Sequence, residues 1–137
     1  MGEFDDNRPR DVRCVHPLVT LLKKLDAIHR RVPNEKAEPA VFVRHYEDAA
    51  RIVAAEAVLP PLIDYMNVRA LAENMLAQRQ IAMLVRQDDP AFALPDGERT
   101  TAIRVAYAAI APMFWGRRVG LDDACRTIRS WIARWFP

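Results

Sequence analysis

The stretch PLVTLLKKLDAIHRR, residues 17–31, constrains the fold more than any other part of the chain. Leu18, Leu21, Leu22, Leu25 and Ile28 recur at i, i+3, i+4, i+7 and i+10. That spacing lines one side of an α-helix and neither face of a strand. Pro17 suits the first turn, where its missing N–H costs nothing. A leucine stripe of this strength must be covered, and the chain supplies further helical stripes to cover it.

A second helix is expected over residues 39–58, with Phe42, Tyr46, Ala49, Val53 and Ala57 on its buried side and Pro60–Pro61 as its stop. A third is expected over residues 68–86, with Leu71, Met75, Leu76, Ile81 and Leu84. QDDPAFALPDGE, residues 87–98, holds two prolines and a glycine among polar residues and reads as a linker. A fourth helix follows over residues 99–114. Asp122 then caps a fifth, which carries Ala124, Ile128, Trp131, Ile132 and Trp135 on one side. Alternating patterns are confined to a short extended piece around residues 12–15. The expected class is all-α: one bundle of about five helices over residues 17–137, after a polar segment at 1–16.

With 51% hydrophobic residues the chain is too apolar for disorder, and a net charge of +2 carries no whole-chain nucleic-acid signature. Lys23, Lys24 and Lys36 are the only lysines among 20 basic residues, a skew that codon usage explains. No apolar run reaches the roughly 20 residues of a membrane span, and MGEFDDNRPR is no signal peptide. Cys14 and Cys125 match no metal or redox spacing and read as reduced thiols, Cys125 as a core filler. A cytoplasmic protein without membrane contact is expected.

The chemistry-bearing residues are those that interrupt the apolar lines. Lys24 and Arg31, seven apart, lie one above the other at the margin of the leucine stripe. His29 falls within that stripe, where a histidine is usually a hydrogen-bonded core residue. On the second helix His45 and Asp48 share a side, with Arg44 at i−4 and Arg51 at i+3 from the acid. Two readings stay open. The arginines and Asp48 could form an ion-pair lattice within one helix, or Asp48 could face Lys24 and Arg31 across a groove fit for a nucleoside triphosphate. The last helix offers a rival. Arg126, Arg129 and Arg134, with Trp115, Arg117 and Arg118 in the preceding turn, either flank an RNA-stacking surface or leave Trp131 and Trp135 buried in the core.

VRCVHPLVTLLKKLDAIHRR (residues 12–31) followed by FVRHYEDAARIV (residues 42–53) resembles the C-terminal half of the AbiEii/AbiGii nucleotidyltransferase toxins. Thr20, Leu21, Lys24 and Leu25 match that family's T-L-x-E-K-L element. His29, Arg30 and Arg31 resemble its basic end, and Arg44, His45, Tyr46 and Asp48 match R-H-Y-x-D. Lys23 departs, standing where the family has glutamate, at a position expected to face solvent. The resemblance covers about residues 12–86 and weakens beyond. It implies that Lys24 and Asp48 are catalytic, with Arg31, Arg44 and His45 around the nucleotide. It also implies Mg²⁺ and a nucleoside triphosphate in a complete member, with tRNA as acceptor and an antitoxin as partner. The family's metal ligands lie on an N-terminal domain with a Gly-Ser motif and a D-x-D pair. This sequence has neither; Asp5–Asp6, Asp88–Asp89 and Asp122–Asp123 are adjacent acids. No metal site, no cofactor of its own and no activity as an isolated chain are therefore expected. The alternative is a stand-alone helical interaction or antitoxin-like module.

Overall fold

The computed structural model describes residues 15–63, 65–110 and 118–137. Among them the chain is all-helical, in the order α1 (Pro17–Arg31), α2 (Pro39–Phe42), α3 (Arg44–Ala54), a 3₁₀ turn (Glu56–Val58), α4 (Val68–Ala77), α5 (Pro90–Ala93), α6 (Glu98–Ala109) and α7 (Leu121–Trp135). Five of these have ten residues or more. The expected piece of strand lies almost wholly outside the described residues, as do Cys14, Trp115 and Arg117. Val15 is irregular and exposed.

Helix α1 is the axis of the bundle. Leu21, Leu25 and Ile28 are fully buried. They pack chiefly against α3, which in turn packs against α7. His16 caps α1 with its imidazole: Nδ1 accepts from the Leu18 N–H, and Nε2 lies 2.7 Å from the Pro60 carbonyl. At the other end the Arg99 guanidinium donates to the carbonyls of Arg31, Val32, Asn34 and Ala37 and covers the Phe42 ring. The α1 C-terminus and the loop after it are thus held by one cation.

Four boundaries differ from expectation. The helix expected over residues 99–114 ends at Ala109, capped at Ile110, and residues 111–114 lie outside the described residues. The helix expected over residues 39–58 is divided at Val43, where the Tyr46 N–H bonds the Val43 carbonyl in a tightened turn. Phe42, Val43 and Tyr46 are all fully buried there. Ala57 is exposed, because the chain has already left α3 for the 3₁₀ turn.

The helix expected over residues 68–86 ends at Ala77. Gln80 N–H returns to the Met75 carbonyl and Arg79 N–H to Leu76, with Arg79 left-handed at φ 60°. This C-terminal motif usually takes glycine, and an arginine gives no sequence sign of it. The last helix begins at Leu121 behind Gly120. Asp122 therefore lies in its first turn rather than at the cap, and pairs with Arg104 at 2.8 Å.

The stretch read as a linker is instead part of the core. Ala91, Phe92 and Leu94 are buried, α5 lies against α7, and the Tyr46 hydroxyl donates to the Ala91 carbonyl at 2.6 Å.

Buried carboxylates fasten the loops to the helices. Asp26 on α1 accepts from the Ala82 N–H and Arg30. Asp89 accepts from the Ala91 N–H and pairs with His29. Asp26 thereby satisfies a loop N–H, and Asp89 caps the first turn of α5.

Candidate functional site

Lys24 leaves α1 at the edge of the leucine stripe, where its stem covers apolar surface and its ammonium stays near water. Asp48 leaves α3 one turn after His45. The packing of α1 on α3 brings the two together: Lys24 Nζ donates to Asp48 Oδ2 at 3.1 Å. The side chains are 23% and 30% exposed, so the pair is neither sealed nor freely solvated.

His45 is half-buried beside this pair, and its Nδ1 is buried with no hydrogen-bond partner among the described residues. Its pKa lies below the ordinary value of 6.5. Burial is the main cause, the positive charges of Lys24, Arg31 and Arg44 add to it, and Asp48 opposes it. The charges felt at this one imidazole put Lys24, Arg31, Arg44, His45 and Asp48 in a single neighbourhood. Among these five side chains three are cations and one is a carboxylate, beside a ring that prefers to be neutral.

One of the two open readings paired Arg51 with Asp48 within the helix. Arg51 pairs with Glu47 one turn back, at 3.1 Å. Sequence reading missed Glu47. The residue is fully buried and accepts also from Arg118 Nε at 3.0 Å and the Val119 N–H at 2.8 Å. A signal did exist, since Glu47 shares a helical line with Val43 and Ala50, both buried. The carboxylate anchors the chain entering α7. Tyr107, whose hydroxyl donates to the Val119 carbonyl, has its phenol pushed up to about 12, by burial first and then by Glu47.

His29, half-buried, pairs through Nδ1 with the buried Asp89. The rival site on the last helix loses Trp131 to the core, and its Trp115 and Arg117 lie outside the described residues. Trp131 is fully buried, and the indoles of Trp131 and Trp135 donate to Glu56, which also takes Arg134. The buried ring of Trp131 presents no face for a base. Cys125 is a core residue, with burial raising its thiol to about 12.

Among the described residues no three His, Cys, Asp or Glu side chains are grouped to hold a metal ion. Two of the three adjacent acid pairs diverge: Asp88 goes to Arg86 and Asp89 to His29, while Asp122 goes to Arg104 and Asp123 to Arg126; Asp5–Asp6 lies outside the described residues. These residues do not fit a magnesium ion. No helix among them is long and apolar enough to cross a membrane.

Compared with protein-family models, with curated proteins and with solved structures, the chain matches none.

Proposed function

We propose that the α1–α3 face contacts a nucleoside triphosphate, and that the chain is the helical C-terminal portion of a nucleotidyltransferase toxin of the AbiEii/AbiGii kind. The observation that supports this is the Lys24–Asp48 contact across two helices. The two short motifs of the resemblance thereby meet in space. Lys24, Arg31 and Arg44 offer positive charge to the phosphates, and Asp48 holds the lysine ammonium in place. His45, kept neutral by burial and by those cations, can accept or donate a hydrogen bond without adding charge. On this reading the metal-binding carboxylates come from another domain, the acceptor is tRNA, and an antitoxin is the natural partner.

The test is a fluorescence-polarisation titration of a labelled nucleoside triphosphate. Lys24→Ala and Arg31→Ala should each weaken binding about tenfold, as loss of a charge-assisted phosphate contact implies. Equal binding by the parent chain and Lys24→Ala would overturn the proposal.

A second reading, a helical interaction module without catalysis, is favoured by Val58, Ile63 and Met66. All three are more than four-fifths exposed and lie between α3 and α4. Such a module leaves polarisation flat for the parent chain as well.

A further inference from the structure

We propose that a second site, separate from the α1–α3 face, binds a small apolar molecule carrying an amine. A cavity of about 410 Å³ lies between the end of α1, α5 and the start of α6. That is the size of a small-molecule pocket and too small for a protein segment of any length. Its walls are mainly apolar, from Val32, Pro33, Leu94 and Pro95, with the His29–Asp89 pair on one side.

The polar groups decide what the occupant carries. Asp89 accepts from His29 Nδ1 and places a buried carboxylate against the cavity wall. Asp96 and Glu98 add two exposed carboxylates to the lining. The one arginine in the lining, Arg99, donates through Nε and Nη2 to the backbone carbonyls of Arg31, Val32, Asn34 and Ala37. The first turn of α6 has no side-chain cap and would favour an anion, but Glu98 already lies in that turn and offsets its partial positive charge. Three carboxylates, Asp89, Asp96 and Glu98, share the lining with Arg99 and His29, so the complementary ligand is an apolar body with an ammonium.

The experiment is a two-dimensional amide NMR titration of the full chain with phenethylamine, 2-phenylethanol and 3-phenylpropionate, three probes of similar body and different head. Phenethylamine should give saturable shifts at Leu94, Gly97 and Thr100. It should bind more tightly than the alcohol, with the acid weakest. The exposed double variant Asp96→Asn, Glu98→Gln, which removes no buried partner, should weaken the amine about threefold or more. The proposal is overturned if the acid binds as tightly as the amine, if the double variant leaves amine binding unchanged, or if the amine gives no saturable shift.

Discussion

Lys24 and Asp48, 24 positions apart in sequence, meet at 3.1 Å across the α1–α3 packing. The contact is between helices, so it depends on how the bundle assembles and not on helix formation alone. Both side chains remain partly exposed, so the pair adds little to stability. Asp48→Asn should cost less than about 1 kcal/mol and move the melting temperature by no more than roughly 4 °C. Thermal unfolding followed by circular dichroism checks this; a larger loss would make Asp48 a structural residue.

Glu47, its neighbour in the chain, should behave in the opposite way. It is fully buried and holds Arg51, Arg118 and the Val119 N–H together. Glu47→Gln keeps the shape but removes the charge facing two guanidinium groups. A loss of roughly 2–4 kcal/mol is expected in urea unfolding. Near-parent stability would mean that the carboxylate is dispensable to the chain entering α7.

His45 carries a pH dependence whose sign follows from its surroundings. Its pKa is lowered in the folded protein, so as pH falls below 6.5 the unfolded chain takes up the proton first and stability declines. Ring-proton NMR should find its midpoint below 6.5. Lys24→Met should raise that midpoint by removing a nearby cation, and Asp48→Asn should lower it by removing the one group that opposes the shift. Movement in the reverse directions would contradict the charge arrangement described above. His45→Gln should flatten the stability profile through the same window.

Arg79 is exposed and sits left-handed at φ 60° in the turn that ends α4. Arg79→Gly relieves that conformation and should stabilise the protein by about 1 kcal/mol. Destabilisation on thermal melting would show that the arginine makes a contact worth more than the strain.

Leu25 is fully buried in the α1 stripe. Leu25→Ala should cost about 2–5 kcal/mol in chemical denaturation. A cost well under that range would mean that the site collapses around the smaller side chain.

Incubated with labelled nucleoside triphosphates, Mg²⁺ and total tRNA, the isolated chain should transfer no label above background. Transfer that Lys24→Ala abolishes would refute the reading in which another domain brings the metal ligands.

Residue spacing alone determined the all-α class, the extent of α1 and the buried faces of α1 and α7. Helix periodicity is a property of neighbouring residues, and apolar stripes reveal it wherever they fall. Tertiary structure decided which polar groups meet. Arg51 stands at i+3 from Asp48 and i+4 from Glu47, both within local reach, and the choice went to the acid that packing had buried. Residues 87–98 looked like a linker because prolines and acids dominate them. Asp89, Phe92 and Leu94 nonetheless found cover and partners on other helices. The end of α4 was hidden for a related reason: the Ala82 N–H beyond it is satisfied by Asp26 on α1. A buried charge or an unconventional turn is stable only with its distant partner in place, and the one-dimensional pattern carries no record of that partner.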